Sequence, residues 1–131
     1  MSFSVDQLPN EPIIFVTVHQ LAGYEHFIHD IHEQVASLQA AYEGPCYRID
    51  DLRKVSFSTK QLTASMYLES QDKPGSATDP MIRHVVVSND RILHFGIMTL
   101  PQTHTPDNRT PIFYTLDEAI DYVRAQIVIE R

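Results

Sequence analysis

The stretch Pro12-Ile13-Ile14-Phe15-Val16-Thr17-Val18 decides the fold together with the segment on its carboxyl side: a break at Gly23, then Tyr24, Phe27, Ile28, Ile31, Val35, Leu38 and Tyr42 at spacings of three and four. The first part is apolar at odd and even positions alike. It predicts a strand buried on both faces, not a half-exposed one. The second part, wound at about 100° per residue, gathers its apolar side chains into one stripe. It predicts an amphipathic helix over one face of a sheet, stopped by Gly44-Pro45. A buried strand with such a helix after it is the repeating unit of a parallel sheet.

The unit recurs three times. Cys46 to Asp50 reads as a strand, with Asp50 to Arg53 as the turn after it. Ser58-Thr59-Lys60-Gln61 is a capping box opening a helix with Leu62, Met66 and Leu68 inward. Ser70 to Pro80, rich in Pro, Gly, Ser and Asp, is expected as a mobile surface loop. Ile82 to Val87 is the next strand, and Ser88 or Asn89 is expected to cap a helix with Ile92, Leu93, Gly96 and Leu100 inward. Pro101 to Pro111 is a second polar loop. Ile112-Phe113-Tyr114 is a short strand, and Thr115-Leu116-Asp117-Glu118 a second capping box. Its helix is expected to bury Leu116, Ala119, Ile120, Val123 and Ile127, while Ser2 to Val5 adds an edge strand. The expected architecture is α/β: one domain over residues 1–131, four strand–helix units, a mainly parallel sheet and right-handed crossovers. Sites in such sheets lie beyond the carboxyl ends of the strands, here His19–Gly23, Asp50–Ser58, Ser88–Arg91 and Tyr114–Asp117.

Composition narrows the function classes. The 131 residues are 43% hydrophobic and 21% charged, with a net charge of −7, which suits one ordinary globular domain. No basic cluster offsets the acidity, so a nucleic-acid partner is not expected. No apolar run approaches the roughly 18–20 residues that span a bilayer. The N-terminus lacks the charged head and apolar stretch of a signal peptide, so a cytoplasmic protein is expected. A single cysteine, Cys46, allows no internal disulfide and no multi-cysteine zinc site.

The stretch Tyr47 to Leu62, YRIDDLRKVSFSTKQL, together with Ile112 to Val123, IFYTLDEAIDYV, resembles the STAS domain, the SpoIIAA-like fold of anti-sigma-factor antagonists. The match lies in an apolar strand ending in Asp, a Val-x-Phe step, a hydroxyl-bearing helix start, and a last strand whose apolar-Phe pair precedes a capped helix. The resemblance covers residues 12 to 127. It implies a non-catalytic regulatory or binding module, with Ser56, Ser58 and Thr59 as candidates for a phosphorylated switch and a protein as partner. The usual Asp-Ser-Ser-Gly run is replaced here by Ser58-Thr59-Lys60-Gln61, so the chain is similar to divergent members that keep the fold without the switch.

Candidate chemistry is sparse. His26, His29 and His32, with Glu25, Asp30 and Glu33 nearby, have the residue types of a metal site. On a helix His26 points opposite the apolar stripe, His29 lies about 60° from His26 and His32 about 120° from His26, so the three cannot converge. A solvated helix face is expected, and no metal. Cys46 suits a buried strand start, with no histidine placed beside it by sequence. Asp50 and Asp51 could share an ion, but are expected to hydrogen-bond the turn before Arg53 and Lys54. Acidic residues already satisfy the helix starts at Ser88–Arg91 and Thr115–Glu118. The four glycines, scattered at Gly23, Gly44, Gly75 and Gly96, form no phosphate loop.

The leading expectation is therefore a binding or regulatory surface made of Asp50, Asp51, Ser56, Ser58, Thr59, Lys60 and Gln61, with no catalysis and no cofactor. The rival is a small-ligand receptor or enzyme, with a pocket at the strand ends formed by His19, Tyr24, Asp50, Asp51, Ser88 and Tyr114. A closed, apolar-lined cavity with convergent polar groups favours the rival; a flat surface favours the first. Charges within the strands are few (Arg48, Asp50 and Arg83), leaving the sheet edges little to blunt them. The apolar helix end at Ile127-Val128-Ile129 either docks on its own sheet or, at Ile127 and Ile129, joins a symmetric homodimer.

Overall fold

The computed structural model describes residues 2–99 and 110–130. Its elements are β1 (Phe3–Gln7), β2 (Ile13–Val18), α1 (Tyr24–Gln39), β3 (Cys46–Asp51), α2 (Thr59–Glu69), β4 (Ile82–Val87), α3 (Arg91–Thr99), β5 (Ile112–Phe113) and α4 (Leu116–Glu130). The five strands lie side by side in chain order. β1 is antiparallel to β2, with Val5 opposite Val16; the other neighbours are parallel. The class is thus α/β with a mostly parallel sheet, and the expected N-terminal edge strand is present.

Every parallel step goes the same way across the sheet. Right-handed crossovers then put the three connecting helices on one face and leave the last helix for the other. The packing agrees. Ile14, Val16, Val18 and Val86 join Phe27, Ile28, Ile31, Val35, Leu62, Leu93 and Ile97 in one apolar cluster. Ile13, Tyr47, Ile49, Val85 and Val87 join Ala119 and Val123 in the other. β2 is apolar all round because helices cover both of its faces. The strand order never reverses, so no crevice opens at a reversal point, where doubly wound sheets bind ligands. Room for a site lies instead between the sheet and the α1–α3 layer.

Several local expectations are corrected. α1 ends at Gln39, so Tyr42 lies beyond it and donates its hydroxyl to the Glu11 carbonyl at 3.0 Å. The cap of α3 is Asp90, not Ser88 or Asn89: Asp90 Oδ1 accepts the Ile92 N–H at 2.9 Å, and Oδ2 the Phe57 N–H at 2.7 Å. The helix therefore starts later than expected and turns Leu93, His94 and Ile97 inward, leaving Ile92 exposed. Leu100 and most of the second polar loop lie outside the described residues. The Ser58–Gln61 box forms in full, each side chain bonding the other's backbone N–H. In the Thr115 box the hydroxyl accepts the Glu118 N–H but also donates to its carboxylate, so the reciprocal half is missing. Arg48, Asp50 and Arg83 stand on the interior strands β3 and β4, whereas the edges are β1 and β5. Ile127 packs against the α4-side cluster, while Val128 and Ile129 are exposed. Among the described residues no helix is long and apolar enough to cross a membrane.

Candidate functional site: a charged cluster under a half-open cavity

Arg48 and Asp50 are two residues apart on β3, so both point to the α1–α3 face. Arg48 is 1% exposed. A charge this deep must be paired, because an unpaired one costs several kcal/mol or more. The pairing is complete. Nε and Nη2 donate to Asp50 Oδ1 and Oδ2 at 2.8 and 2.9 Å. Nη1 and Nη2 donate to Glu69 Oε1 and Oε2 at 3.0 and 2.5 Å. The second Nη1 proton goes to the Gly75 carbonyl at 3.0 Å. All five guanidinium protons are used.

Two histidines close the cluster. His84, beside Arg48 on β4, places Nε2 2.8 Å from Asp50 Oδ2. His32 on α1 places Nε2 2.8 Å from Glu69 Oε1. Glu69 also accepts the Ala77 N–H at 3.0 Å. Burial pushes the Glu69 carboxyl up, but the Arg48 charge and the hydrogen bonds from His32 and Arg48 outweigh it and hold it well below the usual carboxylate range. The segment after α2, expected as a mobile loop, is tied down by this demand for partners. Besides Gly75 and Ala77, Thr78 donates its hydroxyl to the Glu69 carbonyl, and Asp79 accepts the Gly75 and Met81 N–H groups. Gly75 itself sits at φ 83°, where an added Cβ would stand 2.1 Å from the His32 carbonyl oxygen. Only glycine fits both the dihedral and the space.

Beside the cluster, a half-open cavity of about 240 Å³ separates the sheet from the helices. Val16, Val18, Leu52, Phe57, Leu62, Val86, Leu93 and Ile97 give it mostly apolar walls. Tyr24, Ser65 and His84 are polar groups at its lining, backed by Arg48, Asp50 and Glu69. Burial pushes the Tyr24 hydroxyl well above its usual range; Glu69 and Asp50 add to this, while Arg48 and a side-chain hydrogen bond with Ser65 oppose it. The hydroxyl therefore stays neutral and offers both a donor and an acceptor. Tyr24, Phe57 and Ser65 also line a smaller depression of about 140 Å³ together with Lys60 and Gln61.

The sequence-derived candidates separate accordingly. Ser56, Ser58, Thr59, Lys60 and Gln61 do gather, exposed, at the start of α2. Asp50 and Asp51 do not join them: successive strand residues face opposite ways, so the two cannot share an ion. Asp50 lies in the cluster; Asp51 is buried and accepts from Arg53 N, Nε and Nη2, the turn role expected of the pair. Of the rival pocket set, Tyr24 and Asp50 line the cavity. His19 is exposed, near Lys54 Nζ at 3.4 Å. Ser88 is fully buried; its hydroxyl accepts the Asp90 N–H, and its backbone carbonyl meets His94 Nε2. Tyr114 is exposed and stacks on His94 with ring centroids 4.0 Å apart. Cys46 is buried, its thiol pushed up to about 11 by burial, which makes it a poor nucleophile. His26 and His29 are exposed, but His32 is buried, against the solvated face expected for all three. Among the described residues no group of three or more His, Cys, Asp or Glu could hold a metal ion.

Sequence reasoning missed Arg48, Ser65, Glu69 and His84. One signal was available: Arg48-x-Asp50 puts opposite charges on one face of a strand that is otherwise buried.

Comparison with protein-family models, curated proteins and solved structures finds no match to this chain.

Proposed function

We propose that the chain is a divergent SpoIIAA-like domain that binds a small molecule between its sheet and the α1–α3 layer and catalyses no reaction. The cavity carries this reading: mostly apolar walls with a few converging polar groups are the usual make-up of a ligand site. The charged groups behind it favour binding over catalysis. Arg48 has no free proton, and the Asp50 and Glu69 carboxylates are engaged by Arg48, His84 and His32. A general acid or base needs free capacity facing the substrate. In the segment 56–62, Phe57 and Leu62 line the cavity while Ser56, Ser58, Thr59, Lys60 and Gln61 face solvent. A protein partner docking on that outer side would sense what fills the inner one, which supports a regulatory role.

Toluene tests the cavity without testing any polar contact. Titration into the protein, monitored by methyl NMR, is expected to shift Val16, Val86, Leu93 and Ile97 saturably and to leave the α4-side methyls of Val85 and Val87 unchanged. Val86→Phe, which fills the space, is expected to abolish the shifts while the fold persists. Shifts scattered over both faces, or surviving Val86→Phe, would refute the site.

A further inference from the structure

The polar lining also dictates what the ligand carries. Resting on the reading of this cavity as a ligand site, we infer that it takes an uncharged, hydroxyl-bearing hydrophobic molecule about the size of two fused rings, and rejects carboxylates and phosphates. Size comes first. A dry cavity of about 150 Å³ holds one benzene. The 240 Å³ here leaves room for a second ring.

Charge comes next. Among the described residues Arg48 is the only Lys or Arg lining the cavity, and its five protons all go to Asp50, Glu69 and Gly75. Among these residues an anionic head would find no free cationic donor. It would also meet a group whose formal charge, before any histidine is protonated, is negative: one guanidinium against two carboxylates. Burying an unpaired anion there is costly. A cationic head fares little better: three donors already reach Glu69 Oε1 and two reach Asp50 Oδ2, and at the other two oxygens, each holding an Arg48 proton, a second cation would sit against the guanidinium. Tyr24 and Ser65 add neutral hydroxyls that are hydrogen-bonded to each other. As a bonded pair they keep one free proton and spare lone pairs between them, and a partner that answers both is another hydroxyl.

Four naphthalene compounds of nearly equal shape separate the possibilities: naphthalene, 2-naphthol, 2-naphthoate and 2-naphthylmethylamine, each titrated at neutral pH by calorimetry or ligand fluorescence. The expected order is 2-naphthol first, naphthalene roughly tenfold weaker for want of one buried hydrogen bond, and no measurable binding of the two ions. Tyr24→Phe and, separately, Ser65→Ala are expected to lower 2-naphthol affinity toward that of naphthalene and to leave naphthalene itself unchanged. Binding of the naphthoate or the amine as tight as 2-naphthol overturns the inference and leaves the cavity reading standing, because toluene still reports on that alone. A 2-naphthol advantage that survives both substitutions also overturns it. Failure of all four compounds together with toluene overturns both.

Discussion

The Gly75 carbonyl takes the one guanidinium proton of Arg48 that no carboxylate reaches, at 3.0 Å. A loop residue thus completes the coordination of a charge on the central strand. Glycine is required there because its φ of 83° and its approach to His32 leave no place for a side chain. Gly75→Ala is expected to cost about 2–3 kcal/mol, from left-handed strain and the displaced bond. Gly44→Ala, whose Cβ would meet nothing within 4 Å, is the control and is expected to stay within about 0.5 kcal/mol of the parent. Urea unfolding measures both.

Removing the guanidinium strands two buried carboxylates. Arg48→Met is expected to lose about 3–5 kcal/mol, a large share of the stability of a domain this size. Replacing all three charges together, as Arg48→Met with Asp50→Leu and Glu69→Leu, is expected to recover part of that loss, because no charge is then left unpaired. Denaturant midpoints of the single and triple variants decide this. A triple variant weaker than the single one would show that the cluster stabilises the fold outright.

Acid stability depends on Glu69. Its folded pKa lies below the unfolded value of about 4.3, so its contribution is fully present above that value and is lost as pH falls toward the folded pKa. Unfolding free energy is expected to decline from pH 5 to pH 2. Glu69→Gln, less stable at neutral pH, is expected to show a flatter decline. Parallel curves for the two proteins would assign the acid limb to other carboxylates.

Asp90 holds two backbone donors, the Ile92 N–H of its own helix and the Phe57 N–H ahead of α2. Asp90→Ala is expected to cost about 1–2 kcal/mol, at the upper end for a cap because Phe57 is orphaned as well. Asp90→Asn keeps an acceptor and is expected to recover at least half. Thermal denaturation of the three proteins checks the order.

What could be read from the chain was whatever depends on neighbours three or four residues away. The double-sided apolar run of β2, the stripe of α1 and the Ser58–Gln61 box needed no tertiary information, and all three are present. The site escaped because its partners are distant: Arg48 meets Glu69 and Gly75, 21 and 27 residues on, and Asp50 meets His84, 34 residues on. His32 was assigned to the solvated helix face, yet the Glu69 carboxylate meets its Nε2 and the turn at Gly75 packs against its backbone. Asp90 lost the cap assignment to Ser88 or Asn89 because all three residue types cap well; the buried Ser88 hydroxyl instead accepts the Asp90 N–H.

The strand order has a consequence for synthesis. Each strand pairs with the one made just before it, so the ribosome delivers the sheet in the sequence in which it is laid down. An N-terminal hairpin can form first, and every later unit docks on a finished edge. Arg48 is the exception. Its strand is in place before Glu69, Gly75 and His84 exist, and at 5–20 residues per second the wait for the last of these is roughly 2–7 s. Until then Asp50 is the guanidinium's one partner, the three protons meant for Glu69 and Gly75 have none, and water must keep access to them on the face that α1–α3 will cover. The arrival of β4 and the 75–79 turn is therefore the step at which that layer can first dry and close.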